Sequence, residues 1–262
     1  MLAASLAKAA LSAIAVGALL ATLRHASPRA SGLAAAVPIN SMPALFWLSL
    51  EHGGGYAATA ALGSLWGTGL TVLLGLTFAR MAQVCHAALA ASLACLAIGA
   101  LATLLWALPA ALTAATVLAL GVILIGQAVQ PRSPGGAGRG SNRRTDALLS
   151  MGTAGVMSLV VSELSRYGGA QFGGLVATIP VIGICALHAG HRQGGAPLML
   201  RVLDGYLTGM LAKAAFLGAL CLAWSAGAGQ WAWALALAGA GIALLTQRSL
   251  QNVRIIELRR ET

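Results

Sequence analysis

The segment from Gly174 to Val181 reads Gly-Leu-Val-Ala-Thr-Ile-Pro-Val, and the chain carries an earlier version of it. Gly32 to Ile39 reads Gly-Leu-Ala-Ala-Ala-Val-Pro-Ile. The offset is 142 residues, and it holds without a gap well beyond these positions. Arg24 falls on Arg166, Pro38 on Pro180, Ala44 on Ala186, Leu45 on Leu187, and Gly53 on Gly195. Gly63, Leu65 and Gly67 fall on Gly205, Leu207 and Gly209. Eleven of the 44 positions from Arg24 to Gly67 are identical to their counterparts. Chance supplies some matches in a chain rich in Ala, Leu and Gly. The paired prolines, arginines and Gly-x-x-x-Gly elements mark an internal duplication.

The solvent for this duplicated unit follows from its charge. Only 8% of the residues are charged and 58% are hydrophobic, whereas a soluble domain carries about 25% charged residues. Such a chain cannot cover its surface with polar groups. Apolar runs of about 20 residues cross a bilayer as helices, and in lipid each backbone group is paired within its own segment. A barrel would need alternating polar and apolar residues, which these runs lack. The expectation is an all-α polytopic membrane protein. The net charge of +10 does not point to nucleic acid, because most arginines sit between apolar runs, where positive charge sets orientation. Cys85, Cys95, Cys185 and Cys221 lie in or beside apolar runs without metal-type spacing and read as small packing residues.

Nine spans are expected. They run from Leu2 to Leu23, Gly32 to Leu50, Tyr56 to Ala79, Cys85 to Trp106, Ala110 to Val129, Asp146 to Leu164, Gly173 to Ala189, Pro197 to Trp224 and Trp231 to Leu245. Residues 131–145 are rich in Gly, Pro, Ser and Arg and read as a flexible cytoplasmic linker. The division is then a first four-span repeat (1–106), a linking transmembrane helix (107–130), the linker, a second four-span repeat (146–246) and a basic cytoplasmic tail (247–262). In the tail, Leu250, Val253, Ile256 and Leu258 suit either a surface amphipathic helix or a soluble extension. Lys8 and the apolar stretch after it also suit a signal peptide, but no clean small-residue cleavage site follows.

With the linker in the cytoplasm, thirteen of the sixteen basic residues fall inside. Lys8 and Arg166 fall outside and Lys213 within a span. That asymmetry supports a cytoplasmic C-terminus and an outside N-terminus. Trp47, Trp106, Trp224, Trp231 and Trp233 then gather at the outer interface as an aromatic belt. Four spans alone would put both copies the same way up. The fifth span turns the second copy over, giving two four-helix inverted repeats, a plan common among secondary transporters.

Candidate site residues follow from this plan. Pro38 and Pro43 break the second span and Pro180 the seventh, because an interior proline removes a hydrogen bond and clashes with the turn before it. Asn40, Ser41 and Thr178 offer polar atoms beside the breaks. Paired broken helices meet near mid-membrane and direct their ends at a solute. The alternative is a simple kink repaired by neighbouring helices. Gly63/Gly67 and Gly205/Gly209 are expected to pack spans three and eight closely across a pseudo-twofold axis.

Span eight adds Arg201, Asp204, Thr208 and Lys213. Arg201 and Asp204 stand three apart and can pair on one helix face. Lys213 lies near mid-membrane, where a cation needs a partner or a wet cavity. It suits either a solute contact or a buried ion pair, and Glu163 near Arg166 is a candidate partner. His188 and His191 stand three apart without further ligands, and two histidines alone make a weak metal site. There is no phosphate loop, nucleophile elbow or zinc-protease helix, so no enzyme, cofactor or metal is expected.

Ser162 to Trp224 resembles the GlpM-like family of small four-span bacterial inner-membrane proteins. The residues that carry the resemblance are Ser165-Arg166, Gly174-Leu175, Pro180 in a small-residue helix, and Ala186-Leu187-His188. The resemblance covers one repeat and implies a four-span unit in an inner membrane. This chain departs from that family in being doubled, with an added linking span. Its plan also looks like that of the drug/metabolite transporters, which pair inverted halves.

The expected function is an inner-membrane permease for a small polar solute, with an anionic solute favoured if Lys213 lines the site. The rival is a non-transporting membrane scaffold or assembly factor. The expected partners are the lipid bilayer and a small-molecule solute, not nucleic acid, and a homo-oligomer is compatible with all of this.

Overall fold

A computed structural model describes residues 27–36, 38, 41–84, 111–130, 167–178 and 181–260, with isolated helical positions at 10, 11, 13, 14, 93 and 101. Regular structure among the described residues is entirely helical. The first, fourth and sixth expected spans and the 131–145 linker lie outside these stretches, as do Asn40, Glu163, Arg166 and Pro180.

Seven helices follow one another in the described residues. These are α1 (Pro28–Ala36), α2 (Ser41–His52), α3 (Gly54–Met81), α4 (Leu112–Val129), α5 (167–177), α6 (Val181–Ser225) and α7 (Trp231–Arg260). Helix α6 has two legs, which meet at Gly194 and Gly195, where the backbone leaves the helical region. Helices α3 and α4 and the second leg of α6 (Gly194–Ser225) are long and apolar enough to cross a membrane, and Trp231–Gln247 is a shorter apolar stretch. At about 1.5 Å per residue, α3 is about 42 Å long, more than the hydrocarbon thickness of about 30 Å. Helix α4 leaves Val117, Leu124 and Ile125 exposed, and α7 leaves Leu235, Ile242 and Leu245 exposed. Apolar bands of this kind belong against lipid tails. The chain is a helical membrane protein.

The breaks and turns of the two copies coincide. Helix α1 ends at Ala36 and α2 begins at Ser41; α5 ends at residue 177 and α6 begins at Val181. Gly53, between α2 and α3, has φ 83° and ψ 171°. Its counterpart Gly195 has φ 66° and ψ −161°. This corner of backbone space is essentially closed to residues with a side chain, so both copies use a glycine to fold a short helix back onto a long one.

The two copies also exchange contacts reciprocally. A Cβ on Gly32 of α1 would run into the Val202 carbonyl of α6, and one on Gly174 of α5 would run into the Ala60 carbonyl of α3. Val202 is the counterpart of Ala60. Likewise Gly63 meets the Gln171 carbonyl, and Gly205 meets that of Arg29, again as counterparts. Gly67 abuts Thr178 and Gly209 abuts Ala36, a third such pair. Contact of i with j and of the equivalent of j with the equivalent of i is what a twofold relation produces. The Gly-x-x-x-Gly elements thus differ from expectation in their partner. Each receives the short helix of the other copy, since the absence of side chains there lets the two backbones touch.

Helix α3 and the second leg of α6 run antiparallel. A Cβ at Gly54 would lie 3.2 Å from the Trp224 ring, and one at Gly75 would lie 3.4 Å from Leu203 and Tyr206. Positions along this pair sum to about 278, so Thr68 and its counterpart Met210 stand level near the middle of the pair. Leu65, Phe78, Leu203, Tyr206, Leu207, Met210 and Phe216 are fully buried along it. Helix α4 packs on both α3 and α6, and α7 packs on α6. At one end Trp47 and Phe46, Phe46 and Trp233, and Trp224 and Trp233 stack edge to face. Arg29, Arg80, Gln130 and Asp204 gather at the other end.

Two further differences have simple causes. Pro43 does not break the second span. It is the third residue of α2, which runs on through it to His52. Residues 247–260 of the tail continue α7, which runs without a break from Trp231 to Arg260, and so do not form a separate helix. No Gly or Pro falls between Ile242 and Arg260 to stop it.

Candidate functional site

Polar atoms deep in this structure lie on these long helices and on those flanking the breaks. Ser41, Ser64, Thr68, Thr71, Thr178 and Lys213 are all buried. Among the described residues, Gln247 is the one other buried polar or charged side chain.

The second copy's break is closed by hydroxyls. Helix α5 tightens in its last turn, with the Thr178 amide donating to the Leu175 carbonyl at 3.2 Å. A helix end leaves carbonyls unpaired. Thr71 Oγ1 approaches the Thr178 carbonyl at 3.2 Å while lying 2.8 Å from that of Gly67. Ser64 Oγ donates to the Gly174 carbonyl at 2.8 Å. Thr178 Oγ1 stands 3.1 Å from the carbonyls of both Ser64 and Gly174. Thr68 Oγ1 donates to Ser64 at 2.9 Å. These bonds fasten α5 to α3 where Gly63 and Gly67 let the backbones touch.

The first copy's break differs at each of these places. The counterparts of Ser64, Thr68, Thr71 and Thr178 are Tyr206, Met210, Lys213 and Ala36. A hydroxyl lock is replaced by two large side chains and one cation. Lys213 lies on the stripe Val202, Gly205, Tyr206, Gly209, Lys213, whose spacing returns to one helix face. Three residues of that stripe, Val202, Gly205 and Gly209, touch α1. Lys213 stands one turn past Gly209, which abuts Ala36, so it faces the point where α1 stops. No described residue pairs with its ammonium. Ser41 opens α2 on the far side of the same break, and its Oγ is buried with no hydrogen-bond partner among the described residues. Pro38, within the break, is buried, and its carbonyl accepts from the Met42 amide at 2.7 Å.

One expected site residue sits elsewhere, and another bonds within its own helix. Asp204 Oδ2 pairs with Arg29 Nε at 2.8 Å, and its Oδ1 accepts from Gln130 Nε2 at 3.0 Å. The ion-pair partner seen is Arg29, brought over by the α1 crossing. Thr208 Oγ1 turns back to the Asp204 carbonyl at 2.8 Å. Asp204 is nine residues from Lys213, about 13 Å along the helix, and belongs to the basic end, whereas Thr208 stands two residues from Met210. Gln127 Nε2 donates to the Leu207 carbonyl at 3.2 Å, tying α4 to the same region.

The sequence expectations omitted Ser64, Thr68 and Thr71. Their signal was present: three hydroxyls at i, i+4 and i+7 in an otherwise apolar span. Arg29 and Gln130 carry no comparable local signal, because their role depends on helices far apart in the chain. Compared with models of known families, with curated proteins and with solved structures, the chain gives no match.

Proposed function

We propose that this chain is a carrier that moves a small polar solute across a bacterial inner membrane by alternating access. The observation that carries the reading is the burial of polar groups, Lys213 among them, on the helices that flank the two breaks and on the long helices they pack against. Lipid-facing structure has no use for a buried cation and a buried hydroxyl without partners, whereas a solute path does. The reciprocal contacts and the antiparallel course of α3 and α6 support inverted repeats, each presenting a broken helix to a shared centre. The full proposal has two four-helix repeats joined by α4, the aromatic end outside and the basic end in the cytoplasm. The likeness of 162–224 to the GlpM-like family is consistent with such a unit. In operation, one copy rocks against the other about the Thr68–Met210 level, and the Arg29–Asp204 pair closes the cytoplasmic mouth.

The test is uptake from a defined mixture of small polar metabolites into proteoliposomes, read by mass spectrometry. A subset should accumulate above the level in empty liposomes. That accumulation should vanish when Arg29→Cys and Asp204→Cys are bridged by a short thiol cross-linker, and return on cleavage of the linker. No enrichment of any solute would favour the scaffold.

A further inference from the structure

We infer that the seam between α3 and α4 seats one anionic phospholipid, with its phosphate on Arg80 and an acyl chain along Leu73, Val122, Ile125 and Val129. This seat is independent of the carrier reading.

Contacts set the two helices side by side and parallel. A Cβ at Gly69 would lie 3.8 Å from Val122, and one at Gly126 would lie 2.9 Å from Val72 and 3.2 Å from Leu76. Farther along, Arg80 Nη2 donates to the Val129 carbonyl at 3.3 Å. Gly69, Leu73, Leu76 and Arg80 return to one face of α3, as Val122, Gly126 and Val129 do on α4. From Gly69 to Arg80 the seam is about 16 Å long at the helical rise of about 1.5 Å per residue. Gly69 adjoins Thr68, which stands near the middle of the α3–α6 pair. Half the hydrocarbon thickness of a bilayer is about 15 Å. The seam therefore has the depth of one leaflet, and Arg80 lies at the level of that leaflet's phosphates.

The lining of the seam is apolar and open. Ile125 is 64% exposed and Val129 47%, while Leu73 and Val122 are half-buried. An apolar strip of this length, ending at a cation, matches one chain and one headgroup of a lipid.

Charge selects the headgroup. Arg80 is exposed, and among the described residues its one hydrogen bond is to Val129. A guanidinium carries five donors in a planar fork, so donors remain for the phosphate that this fork fits. The acid described at this end is Asp204, which Arg29 and Gln130 already engage. Arg80 has no counter-ion among the described residues. Arg192, beside the bend at Gly194, and Arg201, one turn before Asp204, leave this end net positive. A zwitterionic headgroup brings its own cation into that field, whereas an anionic one does not.

The experiment uses the full chain, delipidated in dodecyl maltoside. Thermal unfolding is followed against dioleoyl phosphatidylglycerol, dioleoyl phosphatidylcholine and inorganic phosphate, and native mass spectrometry counts the lipid retained. Phosphatidylglycerol should raise the unfolding temperature saturably and stay bound as one tightly held lipid per chain. Phosphatidylcholine should bind about fivefold or more weakly, and inorganic phosphate should give no saturable shift. Arg80→Gln should weaken phosphatidylglycerol about fivefold, as loss of one basic contact at a membrane surface implies. Arg80→Lys keeps the charge and should stay within about threefold of the wild type. Arg192→Gln removes the same charge from an exposed position off the seam and should leave binding unchanged. Ile125→Trp fills the chain's seat and should weaken binding about threefold or more.

Wild-type affinity in Arg80→Gln refutes the seat. An equal loss in Arg192→Gln also refutes it, since that is diffuse attraction to the basic end. Equal shifts with phosphatidylcholine overturn the headgroup assignment. A matching shift with inorganic phosphate gives Arg80 to a soluble anion and removes the lipid. Should Arg80→Gln not accumulate, Ile125→Trp decides, and wild-type affinity there refutes the seat.

Discussion

Single glycines hold the two copies together, and the expected costs differ sharply by position. A Cβ at Gly32 or Gly174 meets a backbone carbonyl that cannot move aside. Gly32→Ala and Gly174→Ala should therefore each destabilise the protein by about 1–3 kcal/mol, the range for overpacking. A Cβ at Gly55 or Gly218 meets nothing within 4 Å, so Gly55→Ala and Gly218→Ala should be neutral or slightly stabilising. Thermal unfolding in one detergent checks all four. Similar losses at Gly32 and Gly174 are the residue-level signature of the reciprocal contacts. The Arg29–Asp204 pair should behave differently. Its side chains are 49% and 39% exposed, so a double-mutant cycle should give a coupling of only about 0–1 kcal/mol, weaker still in salt. On the carrier reading proposed above, its weight lies in gating and not in stability.

At the scale of elements, the turns and breaks decide the fold. Gly53 and Gly195 hold equivalent positive-φ corners. Gly53→Ala and Gly195→Ala should cost about 1–2 kcal/mol each through backbone strain, although a Cβ at Gly53 touches nothing within 4 Å. Chemical unfolding of the two variants checks this against Gly55→Ala. Thr71→Val should loosen α5 by about 1 kcal/mol or more, since it leaves a buried carbonyl without its partner. Hydrogen exchange at 167–178 should rise in that variant while α2 is unaffected. Much of this scale was legible in the chain. Paired prolines mark the breaks, and the repeat predicts that their flanking helices match. Pro43 misled because a proline breaks a helix or begins one according to its distance from the start, and that start is set by Ser41 and the bend at Pro38. The length of α7 was also hidden, because the charged tail and the apolar span share one helix.

For the whole molecule, the duplication is what makes the structure interpretable. The offset of 142 residues was readable in the sequence, and so was the membrane-spanning class. The contacts that give the duplication meaning were not readable, because each joins residues more than a hundred positions apart. The candidate site divides the same way. Lys213, Ser41 and Thr178 stood out as polar groups in apolar runs, whereas Asp204 stood out equally and belongs to the basic end. Only the crossing of α1 over α6 separates them. The account depends on the two copies lying opposite ways up in the membrane. Gln83 and Ser225 are equivalent, exposed positions at the ends of α3 and α6. Single cysteines at each, in a background lacking Cys85, Cys95, Cys185 and Cys221, can be labelled with an impermeant thiol reagent in cells and in inside-out vesicles. The account predicts that Gln83→Cys labels only from the cytoplasmic side and Ser225→Cys only from the outer side. Labelling of both from one side would contradict it.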